Sequence, residues 1–452
     1  MSWILLAGSG AAFAALSWLA WAGRLGLPAI LLLVVSAATF FLGRRGLSKA
    51  QRRPVETVAK VAFTIVGCMA LLRHPIEVEG QGSLPVYEAI SAYIDTVDSS
   101  TFITFAIVAM LVKFVGVITS AYAWHLLLVG QGIRYPFWQK IMTAFLIGRF
   151  IGTFLPSTLG LDGYTLYEAG RYSNQWPRVI TAKTLEKFIG VTGLFLTMVL
   201  TLPFGYQVIV DVMTELGSPD KAPLFAGLIL AVAGGISTVV VLGLVWPVII
   251  EFIMGIVEKV AGGVLGAVPP AAKFSDKVLG LLSGFKASVG AYRGKVGLLM
   301  LCLGAKFVTH FTTAAVYFFT ALAIGVVTAE FWPIVFGSTI QILATLLSPT
   351  IAGEGAREAF QALLLSKQLG GVAQAVLSGA LGFIAAEAAT MWGGAFLWTR
   401  TPTWRPKFAT VDGEQVDFTW LEGDEGGFDA ERIAAARARH VAEAREAAGD
   451  EG

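Results

Sequence analysis

Two carboxylates and a guanidinium stand beside glycines in the segment 353–358, which reads GEGARE. Glycines let a backbone turn tightly and expose its N–H groups, and an arginine presents the planar fork that suits phosphate. A helix that begins near Gly355 would add partial positive charge. The segment therefore predicts a site for an anionic headgroup. The alternative is an ion pair of Arg357 with Glu354 or Glu358 that only locks the turn. The candidate substrate-binding residues are Gly353, Glu354, Gly355, Arg357 and Glu358.

A second polar segment, STLGLDG at 157–163, has the same combination of small residues and a carboxylate. Its candidate substrate-binding residues are Ser157, Thr158 and Asp162. Asp162 could pair with Lys183 or Lys187, or bind a coupling proton. Alternatively it is a helix cap, a position that aspartate and threonine both favour.

Three other charged residues fall deep inside apolar stretches, where an ionisable group costs about 2.5–3.5 kcal/mol and rarely lacks a function. Lys113 and Lys306 are candidates for an anion path and complete the predicted substrate-binding set. Glu387 has no cation beside it in the sequence. It must therefore pair across helices, stay protonated or face water.

The remaining charged candidates, Lys183, Glu186 and Lys187, lie near the end of an apolar run. Together with Glu387 they are assigned coupling or structural roles. Lys183 and Glu186 have the i,i+3 spacing of a local helical pair, and both lysines could extend to the membrane surface. Tryptophans such as Trp124 and Trp138 are expected at that surface.

The composition indicates which elements position these residues. The chain is 56% hydrophobic and 14% charged, with mean hydropathy +0.71, whereas soluble domains carry about 25% charge. This predicts an all-α, polytopic helical membrane protein. The eight expected spans are Trp3–Ala22, Leu27–Gly43, Val58–Leu72, Phe102–Val129, Lys183–Pro203, Leu224–Ile250, Val296–Val327 and Val372–Trp398.

Two further apolar runs, Ile141–Leu155 and Phe331–Leu347, end next to a proline. Basic residues crowd the connections 44–60 and 251–295 and follow the last span, which predicts that these segments are cytoplasmic. All of them lie on one side only if both proline-broken runs are re-entrant hairpins. The first would enter from the cytoplasm and the second from the opposite side.

The two breaks also align with each other at a constant offset of 192 residues, as 347 minus 155 and 354 minus 162 both show. Opposite directions of entry would make this an inverted-topology repeat, which in transporters places the substrate site at the repeat interface. A chance match between glycine-rich segments is the alternative.

The broken segments resemble those of the lysylphosphatidylglycerol synthase transmembrane-region family, also called flippase-like domain proteins. The matching residues are LPS at 155–157, GLD at 160–162, the pair Glu186–Lys187 and AGEGARE at 352–358. Thr165 and Lys187 depart from the family pattern, because arginine usually occupies both positions. The resemblance covers roughly 58–398 and implies the flippase-like half of these proteins, without the aminoacyl-transferase domain.

The resemblance divides the chain into three parts. They are an N-terminal transmembrane hairpin with a basic cytoplasmic loop (1–57), a flippase-like transmembrane domain (58–400) and a polar tail (401–452). The stretch 429–448 of the tail is expected to be a solvated helix or loosely ordered. The expected location is the inner (plasma) membrane.

The expected function is movement of a membrane phospholipid or a lipid-linked precursor between leaflets, with the headgroup passing between the two hairpins. We expect no enzyme activity, catalytic residue, metal, cofactor or nucleic-acid partner. The bilayer is the expected partner, and the sequence allows a homo-oligomer. The alternatives are an accessory subunit or enzyme of polyprenyl-linked envelope glycan synthesis, and a proton-coupled carrier of small anions.

Overall fold

A computed structural model describes most of the chain. The described residues are 2–22, 27–78, 82–134, 136–154, 159–173, 175–246, 248–249, 252–253, 255–256, 269–348, 350, 353–396, 407–409 and 415–417. The predicted site residues Ser157 and Thr158 lie outside them, as does the stretch 429–448 of the tail.

The described chain is almost entirely helical, as the apolar runs predict. The helices are α1 (Ser2–Trp21), α2 (Leu27–Arg45), α3 (Lys49–Leu72), α4 (Val86–Ile94), α5 (Ser99–Gly130), α6 (Thr143–Phe154), α7 (Leu159–Ser173), α8 (Trp176–Glu215), α9 (Ala222–Ile229), α10 (Gly235–Val245), α11 (Pro269–Gly290), α12 (Val296–Ala323), α13 (Phe331–Leu347), α14 (Ala356–Leu365) and α15 (Val372–Met391). Short π turns precede α6 and join α9 to α10, and 3-10 turns precede α9 and follow α15.

Eight segments among the described residues are long and apolar enough to cross a membrane, and they correspond one to one to the eight predicted spans. Each needs about 20 apolar residues to cross the hydrocarbon layer. The prediction of a multi-pass α-helical membrane protein is therefore confirmed. Asp98 caps the start of α5, and hydrogen bonds from Ser100 and Thr101 lower the pKa of its carboxyl to about 2.

Two features of the helices were not expected from the sequence. The fifth span does not end at Pro203, because α8 continues through this proline to Glu215. Prolines are tolerated inside membrane helices, where neighbouring helices and hydroxyl side chains satisfy the freed backbone groups. The basic connection 251–295 contains a 22-residue helix, α11, whose Phe285 and Val289 are buried one helical turn apart.

The chain divides into two compact units, each built from three stretches. The first unit contains Met1–Lys113, Met198–Ile229 and Phe311–Ala386, and the second contains Phe114–Thr197, Leu230–His310 and Glu387–Gly452. Each unit contains one of the two helix breaks. In the second unit, the buried core includes Trp124, Phe145, Leu185, Phe285 and Leu303.

Both proline-marked breaks separate two helices that pack against each other as a hairpin. In the second unit, α6 and α7 approach so closely at Gly152 and Gly160 that a Cβ on Gly160 would overlap the backbone of Gly152. In the first unit, α13 and α14 meet where Gly337 contacts Leu365. The expected breaks are thus present. The re-entrant placement of the hairpins and the inverted repeat stay predictions.

Little β-structure accompanies the helices. Strands β1 (Pro75–Val78) and β2 (Gly82–Pro85) form an antiparallel pair. Strand β3 (Ile133–Arg134) pairs with β4 (Lys407–Ala409), which pairs with β5 (Gln415–Asp417). These short segments lie between or after the spans.

Candidate functional site

An ionic cluster lies inside the second unit, where α7, α8 and α12 converge. The Lys183 ammonium is 3.1 Å from Asp162 Oδ1 and 2.7 Å from Glu186 Oε2. The other oxygen of Glu186 accepts from Lys306 at 2.7 Å, and Asp162 also pairs with Lys187. We call these five residues the ionic cluster. Asp162 pairs with both of the lysines expected for it, and the i,i+3 pair of Lys183 and Glu186 is present.

Neutral residues complete the surroundings of the ionic cluster. Lys306 donates to Ser120 Oγ at 2.9 Å, and Lys183 donates to Thr165 Oγ1 at 3.1 Å. The Lys183 ammonium lies 4.6 Å from the centre of the Trp124 ring. Trp124 is only 2% exposed, so its predicted place at the membrane surface is wrong. A cation over an aromatic face stabilises a buried tryptophan of this kind.

The ionic cluster combines fixed charges with an accessible one. Lys183, Glu186 and Lys306 are less than 10% exposed, whereas the side chain of Lys187 is 53% exposed. Buried charges are tolerated when each has a partner and further hydrogen bonds. Because Asp162 pairs with both Lys187 and the buried Lys183, a ligand that reaches Lys187 would act on the buried charges through Asp162.

In the first unit, Arg357 and Glu358 form a buried pair at the start of α14. Arg357 donates to Glu358 Oε1 through Nε at 2.8 Å and Nη2 at 2.6 Å. The guanidinium also stacks 4.1 Å from the centre of the Phe383 ring. Glu358 Oε2 accepts from the Gly355 backbone N–H at 2.8 Å. The helix begins where the glycines predict, and its first turn is closed by Glu358.

Gly355 is required by the geometry of this turn. Its φ is +78°, and a Cβ would lie 3.3 Å from both the backbone nitrogen and the Sγ of Cys68. For other residues a left-handed conformation costs about 1–2 kcal/mol. We therefore expect Gly355→Ala to lower the unfolding free energy by about 1–2 kcal/mol. Thermal unfolding in detergent measures this loss. The matched control is Gly304→Ala, because Gly304 lies at an open helical position with an ordinary φ. Equal unfolding midpoints in the two variants would contradict the prediction.

A groove with a volume of about 790 Å³ opens beside this turn in the first unit. Its apolar walls come from α3, α13 and α14, and its polar residues include Ser348, Thr350 and Glu354. Gly355 and Ala356 form the part nearest to the Arg357–Glu358 pair. An apolar wall next to a polar end matches the two ends of an amphiphilic molecule. The wall residues include Phe63, Leu71, Ile340, Leu343, Leu347 and Phe360.

Buried amides also occur on the two helices of this hairpin, α13 and α14. Gln361 is fully buried, and neither atom of its amide has a hydrogen-bond partner among the described residues. Gln341 donates to the Tyr317 hydroxyl at 3.3 Å. Lys113 Nζ, also in the first unit, donates to Thr313 Oγ1 at 3.0 Å. A buried polar group without a partner costs about 1–3 kcal/mol. An apolar side chain at position 361 would avoid this cost, so packing alone does not explain the glutamine.

Glu387 finds its partner across helices, which is one of the three expected outcomes. Its Oε1 lies 3.3 Å from Arg149 Nη2, and its Oε2 accepts from Thr153 Oγ1 at 2.5 Å. Arg149 Nε donates to Thr390 Oγ1 at 3.2 Å. Arg149 is absent from the predicted site residues. Its position as a lone charge within the apolar run Ile141–Leu155 is the signal that could have identified it.

The Arg149–Glu387 pair predicts a measurable coupling. Arg149→Met and Glu387→Met should each destabilise the protein, since each leaves one largely buried charge without its partner. The double variant should be more stable than the sum of the single changes by about 1–3 kcal/mol. Unfolding free energies of the four proteins in mixed micelles measure this, and strict additivity would show that the two side chains do not interact.

The structure thus sorts the predicted residues into groups within each unit. Asp162, Lys183, Glu186, Lys187 and Lys306 come together in the second unit. In the first unit, Gly353, Glu354 and Gly355 precede α14, and Arg357 and Glu358 lie in its first turn. Lys113 and Glu387 belong to separate contacts, with Thr313 and Arg149 respectively.

A known protein family matches the part of the chain that contains both sites. The family profile of the lysylphosphatidylglycerol synthase TM region matches residues 87–392, a range that contains both hairpins, the ionic cluster and the Arg357–Glu358 pair. No curated protein and no solved structure matches the chain. Because the profile covers more than half of the 452 residues, the chain belongs to the family of the lysylphosphatidylglycerol synthase TM region.

Proposed function

We propose that this protein moves a membrane lipid, or a lipid-linked precursor, from one leaflet to the other. The observation that carries the proposal is the groove of the first unit, with its apolar walls and its polar end at the helix break. The proposed location is the inner (plasma) membrane. We propose a carrier and not an enzyme, since transfer between leaflets makes and breaks no covalent bond.

The barrier to this movement is the headgroup, because acyl chains remain in an apolar medium throughout. A polar group without hydrogen-bond partners costs several kcal/mol in hydrocarbon. Ser348, Thr350 and Glu354 would replace part of the hydration shell of a headgroup at the polar end of the groove. The acyl chains would lie against its walls, where Leu347 is 77% exposed.

The Arg357–Glu358 pair has a supporting role in the proposal. Arg357 is held by its own carboxylate partner and by Phe383, so it shapes the turn that carries Glu354 and the backbone of Gly355. An exchange of Glu358 for a phosphate oxygen would keep the guanidinium satisfied. The pair could therefore serve the headgroup directly or through the turn.

Reconstitution into liposomes tests the proposal. Fluorescent phosphatidylglycerol, phosphatidylethanolamine, aminoacylated phosphatidylglycerol and a polyprenyl phosphate would be placed in both leaflets, and a membrane-impermeant quencher added outside. We expect the purified protein to let the quencher reach more than the outer half of at least one lipid. If every lipid behaves as in protein-free liposomes, the proposal is wrong.

A further inference from the structure

The basic residues at the junction of α2 and α3 enclose a second, smaller cavity, outside the family-matched residues. Its volume is about 320 Å³, and it is lined by Phe41, Arg44, Arg45 and Arg52. One apolar span, Leu27–Arg45, ends there, and the next, the segment of α3 from Pro54 to Leu72, begins just after Arg52. The cavity therefore lies between the C-terminal end of one membrane span and the N-terminal end of the next.

The three guanidinium groups are not equally engaged. Arg44 pairs with Glu56, and Arg52 donates from Nη2 to the Leu47 carbonyl at 3.3 Å. Arg52 Nε is buried and has no hydrogen-bond partner among the described residues. Arg45 is exposed, and no hydrogen bond or ion pair joins it to another described residue. Arg45 therefore retains its donors, and Arg52, which lines the cavity, retains guanidinium donors besides the Nη2–H that it gives to Leu47 and the buried Nε–H.

The turn between the helices holds the arginines in place. Ser48 caps α3, and its backbone N–H donates to the side chain of Gln51, which forms a capping box. The Arg52 backbone N–H donates to the Ser48 carbonyl at 3.0 Å. Leu47 is buried beside them, only 6% exposed. A capped turn that is anchored by one buried side chain, Leu47, fixes the directions from which Arg45 and Arg52 approach.

We propose that this cavity binds the phosphate of an anionic phospholipid. Arginine forks match phosphate oxygens in geometry and charge, and basic pockets at the cytoplasmic ends of spans bind acidic headgroups. Phe41, one turn before Arg45 on α2, is 58% exposed and adds an apolar surface to the lining. An amphiphile satisfies both parts of the lining, whereas a free phosphate satisfies only the arginines. Span orientation alone requires basic residues but no cavity.

A lipid titration of the full-length protein in detergent tests the site. The thermal unfolding midpoint would be followed as phosphatidylglycerol, phosphatidylcholine or inorganic phosphate is added. For the wild type we expect a rise with phosphatidylglycerol alone, since a ligand of the folded state stabilises it. In Arg45→Gln/Arg52→Gln we expect the same rise to need about tenfold more phosphatidylglycerol.

The control removes two positive charges elsewhere. Arg293→Gln/Lys221→Gln changes two exposed residues outside the cavity and should titrate as the wild type does. If the double variant fails to fold, Arg45→Gln alone replaces it in the titration. Arg45 is exposed and has no partner among the described residues, so its replacement should not disturb folding. A rise with inorganic phosphate that the double variant loses would assign the site to soluble phosphate and overturn the lipid. Equal titrations of the double variant and its control would overturn the site itself.

Discussion

Replacement of Glu186 by glutamine is expected to lower the unfolding free energy of this protein by about 3–5 kcal/mol. Glu186 is the carboxylate that separates two buried ammonium groups, with one oxygen 2.7 Å from Lys183 and the other 2.7 Å from Lys306. Glutamine is neutral and keeps a single acceptor oxygen for the two ammonium groups. Apart from that oxygen, Lys306 keeps the Ser120 hydroxyl among its described partners, and Lys183 keeps Asp162 and Thr165. Two like charges would then face each other in a poorly hydrated interior.

A second substitution distinguishes this electrostatic cause from lost packing. Glu186→Gln/Lys306→Met removes one of the opposing charges, so we expect it to recover a large part of the stability. Glu215→Gln, on the same helix but 42% exposed, is the matched control and should change stability by less than about 1 kcal/mol. Thermal unfolding followed by size-exclusion chromatography compares the variants. If Glu186→Gln melted like Glu215→Gln, the ionic cluster would not be a stabilising unit.

Replacement of Arg357 by lysine is expected to slow lipid transfer about tenfold or more while the protein stays folded. Lysine keeps the positive charge, but it cannot stack a planar group on Phe383 and cannot donate from two nitrogens to one oxygen of Glu358. Glu358 would still accept from the Gly355 N–H. The start of α14 should therefore survive while the turn next to the groove loses its fixed geometry.

The matched control for this change is Arg171→Lys. Arg171 is an exposed arginine that also contacts an aromatic residue, Tyr167, with a hydrogen bond of 3.0 Å. Transfer rates in liposomes, normalised to the amount of folded protein recovered, provide the comparison. Wild-type rates in Arg357→Lys would show that lipid transfer does not depend on the planar guanidinium. Arg357→Ala would then show whether any long side chain is needed at this position.

The membrane spans were predictable because the signal is local. A run of about 20 apolar residues identifies a span without knowledge of its neighbours, and each of the eight expected runs corresponds to a helical span among the described residues. The breaks after Phe154 and Leu347 were predictable for the same reason, since a proline beside serine or threonine interrupts each run. The pairing of Asp162 with Lys183 and Lys187 was among the alternatives that the residue types left open, beside proton binding and a helix cap.

Contacts between distant segments were not predictable from spacing. Lys306 and Glu186 are 120 residues apart, and Arg149 and Glu387 are 238 apart. Apolar spans carry little information about which faces meet, so the partner of each buried charge stays undetermined until the helices are packed. Trp124 shows the same limit: its residue type suggested the membrane surface, whereas its neighbour Lys183 explains its burial.

The proposal that a lipid moves between leaflets depends on the groove of the first unit. One substitution inside this groove tests the proposal most directly. Ala359→Trp places a large ring on a wall residue of the groove, while Leu363→Trp adds the same ring at an exposed position on the same helix. We expect Ala359→Trp to slow lipid transfer in liposomes about tenfold and Leu363→Trp to match the wild type. Unchanged transfer by folded Ala359→Trp would contradict a lipid path through the groove.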